Sequence, residues 1–310
     1  MKVALFGGTG YVGGYLVDAL LEHRHTPRLL VRAGSEAKVR QRSRCEVVAG
    51  EIGDPAAVAA CVESADAAIY NIGLLREFPR EGITWEAMHY AGAARCIDAA
   101  VSGGVGRFIL MSANGARPEG TGYQATKYRA EQYLAGSGLD WTVFRPSVVF
   151  GDPRGQMEFC TQLRDEMILR PIPAPLFHEG LWPGGAGRFR MSPVAVENLA
   201  AAFARALGTS ATHGRVLPLC GPEALEWREI LRIIAAAVGR RKLMLPAPVS
   251  VVRAAATLLD GYGWFPVTRP QLQMLLEGNT CDGGEAWRMF DIEPAHFTVE
   301  SLGYLRVGKA

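Results

Sequence analysis

Short apolar runs alternate with amphipathic stretches through the first half of the chain. "KVALF" at residues 2–6 stops at two glycines, as a strand buried on both faces does. Helical patterns over about 11–23, from Pro55, over about 84–102 and from near Tyr123 separate it from further apolar runs. Those runs are "RLLVR", "EVVAG", "AAIYNI", "RFILMS" and "WTVFRPS". The alternation predicts an α/β Rossmann fold, a doubly wound parallel sheet with helices on both faces.

The pattern changes after about residue 150. Residues 151–192 are rich in Pro and Gly, and they precede a predicted helix at about 194–207, the strand "RVLPLCG" and about three more helices. We expect residues 1–150, with a returning helix and strand at about 193–221, to form the Rossmann domain. Residues 151–192 and 222–310 are then expected to form a smaller, substrate-side C-terminal subdomain.

Two apolar features of the second half leave alternatives open. Phe177, Trp182 and Phe189 either line an apolar substrate pocket or cover the core. The stretch "APVSVVRAAATLLDGYGWF" contains Arg253 and Asp260 and falls short of a membrane span. It predicts a packed helix or an amphipathic surface helix.

Composition narrows the class of protein. The chain is 49% hydrophobic and 21% charged with a net charge of +2, so nothing suggests a nucleic-acid surface. Its six cysteines are scattered singly without a CxxC pair, which predicts reduced, mostly buried thiols and no metal site. The start "MKVALFGG" does not resemble a signal peptide, and a cytoplasmic location is expected.

A glycine-rich turn joins the first strand to the first helix. "ALFGGTGYVGGYLVDAL" places Gly7, Gly10 and Gly13 with the spacing of a dinucleotide-binding fingerprint. Gly7 permits a tight turn, Gly10 lets a pyrophosphate approach the backbone, and Gly13 lets the helix pack closely on the strand. The pyrophosphate would lie on amides at a helix N-terminus, where the helix dipole favours anions. The predicted contacts of this turn are Gly7, Thr9, Gly10, Tyr11, Val12 and Gly13.

The end of the second strand indicates which dinucleotide is bound. An NAD-binding protein usually has a carboxylate here for the ribose 2′-hydroxyl, whereas this chain has Arg32 in "LLVRAGSEAK". A guanidinium suits a 2′-phosphate, with Ser35 and Lys38 assisting, so NADP is preferred over NAD. Arg32 as a plain charged strand end is the alternative. Asp54 either caps the helix that starts at Pro55 or approaches the adenine.

"GTGYQATKYRAEQYL" places Tyr123 and Lys127 four residues apart at the start of a predicted helix. Residues at this spacing share a helix face. The pair is a weak motif by itself, and it is typical both of a proton-transfer site and of an ordinary solvated helix face.

Four motifs together resemble one superfamily. "FGGTGYVGG", "RFILMSANG", "YQATKYRAE" and "WTVFRPSVVFGDP" resemble the extended and atypical short-chain dehydrogenase/reductases over residues 1 to about 220. The best local match is the atypical group similar to the NAD(P)-binding accessory subunit of respiratory complex I. The resemblance implies an oxidoreductase or epimerase-like enzyme that moves a hydride between the nicotinamide and a small carbonyl or hydroxyl compound. It equally includes non-catalytic NADPH-binding accessory, assembly and redox-sensing proteins.

The resemblance also implies roles for individual residues. Tyr123 would act as the acid or base on the substrate oxygen, and Lys127 would hold the nicotinamide ribose and lower the pKa of Tyr123. Ser112 would hydrogen-bond the substrate carbonyl. His89 stands where the superfamily often has Asn, and it would either take part in a water-mediated proton relay or be an ordinary helix residue.

Further residues of the cofactor site and the partners follow from the same resemblance. Ile72, Gly73, Pro146 and Val148 are expected to lie beside the cofactor. The expected partners are a nicotinamide dinucleotide and a small-molecule substrate, with no nucleic acid and no transmembrane segment. Association with a membrane surface or a respiratory complex, and the oligomeric state, stay open.

Overall fold

The computed structural model describes residues 1–180, 182–250 and 269–306, and the chain divides into two compact units. The first unit comprises Met1–Pro146, Val196–Leu219 and Gly283–Glu293. The second comprises Ser147–Ala195, Cys220–Asp282 and Pro294–Ala310. Compared with the expected boundaries, the first unit gains the short late segment Gly283–Glu293. Most of the apolar stretch predicted as a late helix lies outside the described residues.

A seven-stranded, wholly parallel sheet forms the centre of the first unit. Its strands are β1 Lys2–Phe6, β2 Thr26–Val31, β3 Glu46–Ala49, β4 Ala67–Tyr70, β5 Arg107–Met111, β6 Asp140–Pro146 and β11 Arg215–Leu219. Their order across the sheet is β11-β6-β5-β4-β1-β2-β3. The order reverses between β1 and β4, and open α/β sheets bind ligands at such a point. The predicted doubly wound Rossmann fold is confirmed.

Helices flank this sheet. They are α1 Tyr11–Glu22, α2 Pro55–Val62, α3 Gly92–Ser102, α4 Gly122–Ala135, α6 Val196–Ala206 and α9 Gly284–Phe290. A π-helical segment, Glu86–Ala91, runs directly into α3. Short 3₁₀ turns cover Glu36–Lys38, Arg42–Arg44, Pro79–Glu81 and Ser210–Thr212.

Two helix starts are fixed by their own sequence. Asp54 accepts a hydrogen bond from the Ala56 amide at 2.9 Å and Pro55 occupies the first turn, so the capping interpretation of Asp54 is correct. At α4, Thr121 and Gln124 form a reciprocal capping box. Capping at Thr121 sets where α4 begins, and therefore where Tyr123 and Lys127 lie in its first two turns.

The second unit consists of smaller elements. Its strands are β7 Val149–Phe150, β8 Ala174–His178, β9 Arg190–Met191, β10 Val194–Ala195, β12 Leu225–Glu226 and β13 Met244–Pro248, which pair as β7 with β10, β9 with β12 and β8 with β13. Its helical segments are α5 Phe159–Leu163, the π-helical Arg164–Ile168, α7 Trp227–Ala237, α8 Arg269–Glu277 and the 3₁₀ turns Pro183–Gly185 and Gly303–Leu305.

The aromatic side chains of this unit mostly build its core. Phe177 and Phe189 stack on the buried Trp227, with ring centroids 6.3 and 5.4 Å away. The alternative in which they cover the core is therefore correct for these two, and the pocket-lining alternative is not. Trp182 is 85% exposed.

The expectation of reduced thiols throughout is wrong at one place. Cys220 and Cys281 form a disulfide in the second unit, with 5.9 Å between their Cα atoms and a sequence separation of 61. Such a long separation leaves no spacing motif, so only the fold brings the two residues together. Cys61, Cys96 and Cys160 are buried free thiols and Cys45 is a half-buried one. Among the described residues no group of three His, Cys, Asp or Glu is arranged to hold a metal ion.

Within the described ranges, no helix combines the length and the apolar character that crossing a bilayer requires.

Candidate functional site

The glycine-rich turn between β1 and α1 has the geometry of a phosphate-binding cradle. Gly7 adopts φ +90°, a left-handed conformation that favours glycine. A Cβ on Gly13 would lie 2.1 Å from the Gly7 carbonyl oxygen, so only glycine lets α1 pack this close to the turn. Gly10 precedes α1 without a side-chain cap, and the first turn of α1 has no acidic residue. Thr9, Tyr11 and Val12 complete this helix start, which suits an anion.

A cleft of about 340 Å³ lies beside the ends of β2 and β3 and is lined by Arg32. Its other lining residues are Glu51, Ile52, Gly53, Glu81, Gly82, Ile83, Ala87, Met88, Ala91 and Arg95. Arg32 is exposed, and Arg95 donates a hydrogen bond to the Ile52 carbonyl at 2.8 Å. Two guanidinium groups therefore border the cleft where the sequence pattern led us to expect one.

The other predicted contacts of the adenosine end lie close in sequence but outside that lining. Ser35 is buried and Lys38 is exposed on the 3₁₀ turn after β2. The Ser35 amide donates to the Arg32 carbonyl at 3.0 Å, which folds the segment back on itself. Asp54 is engaged as the cap of α2.

Lys127 lies at the carboxyl ends of β4 and β5. Its side chain is buried, and its Nζ donates to the carbonyl oxygens of Ile72 and Met111, each at 2.9 Å. Burial lowers the pKa of Lys127 to about 7, although the nearby Glu131 carboxylate opposes this change. An ammonium group has three donors, so one remains beyond these two carbonyls.

Tyr123 is held by the edges of two other rings. Trp85 and His89 each pack edge-to-face with it, at centroid distances of 6.4 and 5.0 Å. The Tyr123 hydroxyl makes no hydrogen bond to any residue in the described ranges, so it is available to a ligand. Burial raises the pKa of Tyr123 to about 12. Desolvation of the hydroxyl is the cause of this rise, which runs opposite to the expected lowering of the pKa by Lys127.

His89 is buried with both ring nitrogens engaged. Its Nε2 accepts from the Leu74 amide at 3.0 Å, which places the proton on Nδ1, 3.3 Å from the Thr126 hydroxyl oxygen. Burial and the Lys127 charge lower the pKa of His89 to about 2. This arrangement contradicts the relay hypothesis, because a relay needs a ring nitrogen open to water. His89 instead positions the Leu74 backbone and the Tyr123 ring.

Trp85 completes this arrangement from the other side. Its indole Nε1 donates to the Leu74 carbonyl at 2.9 Å, so Trp85 and His89 together satisfy both backbone groups of Leu74. The segment after β4 is thereby tied to the residues that hold Tyr123. The sequence patterns did not identify Trp85, because a lone aromatic residue before a helix carries no specific signal.

Ser112 belongs to a buried ionic network. Its hydroxyl donates a short hydrogen bond to the buried Glu131 carboxylate. Arg145 binds the same carboxylate in a bidentate ion pair at 2.9 and 2.5 Å. A serine hydroxyl has one proton, and here it points to Glu131. The predicted donation from Ser112 to a substrate carbonyl therefore does not fit this conformation.

The remaining predicted contacts are divided between the two units. Ile72 and Gly73 follow β4, and the Ile72 carbonyl is the acceptor for Lys127. Pro146 ends β6, and its carbonyl oxygen accepts from the Asn114 amide at 2.9 Å. Val148 belongs to the second unit, where its carbonyl accepts from Val194.

One buried acceptor beside the glycine turn was also missed by the sequence patterns. Asn71 directly follows β4, and its Oδ1 is buried without a hydrogen-bond partner in the described chain. A buried amide oxygen normally has a partner, so Asn71 fits a site that receives a ligand donor. Together with the glycine cradle and the spare donor of Lys127, it makes the residues present compatible with a dinucleotide.

Comparison with known proteins agrees with this geometry. Residues 7–169, more than half of the chain, match the NAD(P)H-binding family, and the chain belongs to that family. The resemblance to atypical short-chain dehydrogenase/reductases is confirmed.

Ceramide reductase of Caulobacter vibrioides is 26% identical over 84% of this chain and 78% of its own length. The 40 kDa subunit of mitochondrial NADH-ubiquinone oxidoreductase from Neurospora crassa is 22% identical over 97% of this chain and 78% of its own. Among solved structures, the Bordetella bronchiseptica enzyme WbmH in complex with NAD⁺ superposes with a TM-score of 0.74, 17% identity and coverage of 98% and 96%. The chain thus belongs to a family that binds nicotinamide dinucleotides.

Proposed function

We propose that this protein is an NADP-dependent oxidoreductase or epimerase-like enzyme acting on a small carbonyl or hydroxyl compound. The observation that carries the proposal is the pairing of Tyr123 and Lys127 on α4 at the sheet edge where Rossmann proteins bind ligands. The hydroxyl of Tyr123 and one donor of Lys127 are left for ligands. When bound, the nicotinamide supplies the hydride, and the protein supplies orientation and proton transfer.

In the reductive direction Tyr123 would donate its hydroxyl proton to a substrate oxygen. Burial raises the pKa of Tyr123 to about 12, so this step needs a nearby positive charge to stabilise the tyrosinate. The rings of Trp85 and His89 fix the direction in which that proton is offered. Lys127 would hold a ribose hydroxyl with its remaining donor, and its positive charge would stabilise the tyrosinate left after proton transfer.

The preference for NADP rests on the charges around the 340 Å³ cleft. Arg32 lines it and makes no ion pair with another described residue. A 2′-phosphate would find Arg32 on one wall and Arg95 on another, and charge-assisted hydrogen bonds to guanidinium are strong. Glu51 also lines this cleft. Its carboxylate would suit the adenine amino group.

A second function is supported by the Ser112 network. In a non-catalytic accessory, assembly or redox-sensing protein, the bound nucleotide would be retained and would add stability by mass action. Ser112 directs its proton to Glu131 and both ring nitrogens of His89 are engaged, so of the expected set only Tyr123 and Lys127 keep a donor for a ligand among the described residues. The Neurospora relative is a subunit of a respiratory enzyme, whereas the Caulobacter relative is a reductase by name.

Replacing the Tyr123 hydroxyl decides between the two functions. We expect Tyr123→Phe to lower NADPH oxidation with a panel of carbonyl compounds by about 100-fold or more, because a general acid contributes that much. The affinity for NADPH should change little. The matched control is Tyr133→Phe on the same helix, since Tyr133 bonds Asp98 on the surface and should keep full activity. Tight NADPH binding without turnover of any carbonyl by the unmodified protein would support the accessory function instead.

A further inference from the structure

Four large apolar side chains project from one region of the second unit. Leu169, Ile172, Leu243 and Leu245 are 42%, 61%, 65% and 48% exposed, respectively. We call these four residues the Leu243 patch. Single exposed apolar residues are ordinary, but a cluster of long aliphatic side chains marks an interaction surface.

The pairing of β8 with β13 brings these side chains together. The Ala174 amide donates to the Leu243 carbonyl at 2.9 Å, and Leu245 lies opposite Pro175 in the register. Ala174 is buried and Met244 packs against the hydrophobic core of this unit. Leu243 directly precedes β13 and Leu245 lies within it, and both side chains are largely exposed to solvent rather than packed in that core.

Basic residues surround the apolar patch. Segments 164–173 and 240–248, which contain it, carry five basic and two acidic residues, although the whole chain has a net charge of only +2. Arg170, Arg240 and Arg241 are exposed, and Lys242 donates to the Arg170 carbonyl oxygen, which ties the two segments together. Arg164 and Asp165 form an ion pair with each other at 2.6 Å, which leaves four basic residues and one acidic residue in these segments.

We propose that the Leu243 patch and its basic border form a docking surface for an anionic lipid membrane. Long aliphatic side chains insert at the boundary between headgroups and acyl chains, while arginine and lysine bind the phosphates around them. The positive charge of the border favours an anionic membrane over a second copy of the chain. A second copy would carry the same basic residues, and the two borders would repel each other. Docking of this kind needs no spanning helix.

Sedimentation of the full chain with lipid vesicles tests the proposal. We expect binding to phosphatidylcholine vesicles that contain phosphatidylglycerol, and weak binding to pure phosphatidylcholine. The double variant Arg240→Gln/Arg241→Gln should weaken binding about fivefold per charge removed, and salt should weaken the binding of the unmodified protein. Ile172→Gln/Leu243→Gln should weaken it at least tenfold while leaving the thermal midpoint of unfolding unchanged, because both side chains are on the surface.

Two controls come from the first unit. Val101→Gln replaces a similarly exposed apolar residue, and Arg42→Gln/Arg44→Gln removes two exposed charges, and neither should alter vesicle binding. Equal binding by the patch variants and the unmodified protein would overturn the proposal, as would equal binding to neutral and anionic vesicles. Lipid-free dimerisation that Leu243→Gln abolishes would also overturn it, because it would show a second copy on the patch.

Discussion

The two ends of the cofactor site are constructed in different ways. The phosphate and adenosine end is made of a glycine turn, a helix start and exposed guanidinium groups bordering an open cleft. At the other end, Tyr123 packs against the rings of Trp85 and His89, and the buried Lys127 donates to backbone carbonyl oxygens. In the proposed function, backbone geometry would determine binding at the first end, and side-chain packing would determine chemistry at the second.

This difference has a consequence for function. A glycine cradle can bind a dinucleotide whether or not any reaction follows, so it is shared by enzymes and accessory proteins. Enzymes and accessory proteins should differ at the end that contains Tyr123 and Lys127. Proton transfer there depends on the pKa of Tyr123 and on the hydrogen bonds that its neighbours donate. Substitutions at the glycine turn therefore test dinucleotide binding, and substitutions around Tyr123 and Lys127 test proton transfer.

The largest effect is expected from Glu131→Gln. Removing the carboxylate leaves the Arg145 guanidinium without its buried partner, at a cost of about 3 kcal/mol in the free energy of unfolding. Glu86→Gln is the control, because Glu86 and Arg129 form an exposed pair of similar distance that should contribute less than about 1 kcal/mol. Denaturant unfolding measures the free energy of unfolding of both variants. Equal decreases in the two variants would show that the buried Glu131–Arg145 pair stabilises the fold no more than the exposed pair does.

Glycine substitutions should separate folding from binding at the other end. Gly13→Ala forces a Cβ to within 2.1 Å of the Gly7 oxygen and should cost about 1–3 kcal/mol of stability. A Cβ on Gly10 would lie 3.5 Å from the Gly7 carbonyl oxygen, which is an ordinary van der Waals contact. Gly10→Ala should therefore fold normally while its methyl group weakens NADPH binding. Unfolding and nucleotide titration of both variants make the comparison, and unimpaired stability of Gly13→Ala would contradict the tight packing described.

An effect on stability that depends on pH is expected from His89. Its pKa falls from an ordinary value near 6.5 to about 2 on folding, so the unfolded state binds the extra proton as pH decreases. The stability contribution is complete above pH 6.5 and is lost below it, by about 1.4 kcal/mol per pH unit. His89→Gln should therefore flatten the decline in unfolding free energy between about pH 6 and pH 4. An unchanged slope would mean that His89 is protonated in the folded protein.

The sequence predicted the sheet, the glycine turn and the start of α4, because each depends on neighbouring residues. "KVALF" followed by glycines is a local pattern, and so are Asp54–Pro55 at α2 and the helical pattern that begins near Tyr123 at α4. These signals do not depend on the rest of the fold.

The side-chain network was not predictable in this way. Ser112 meets Glu131 only because β5 and α4 pack together, and Glu131 had no motif that singled it out. The fixed tautomer of His89 likewise depends on Leu74, fifteen residues earlier in the chain. Arg95 and Cys281 were missed for the same reason, since their partners Ile52 and Cys220 are distant in sequence.

Calorimetric titration with NADPH and NADH, on the unmodified protein and on Arg32→Ala, tests the central claim most directly. We expect tighter binding of NADPH, and a loss of about 10- to 100-fold for NADPH alone in Arg32→Ala, because a charged hydrogen bond to the 2′-phosphate is removed. Arg42→Ala, exposed but outside the lining of the cleft, should behave as the unmodified protein. Equal affinity for both nucleotides, unchanged in Arg32→Ala, would contradict the assignment of NADP to this site.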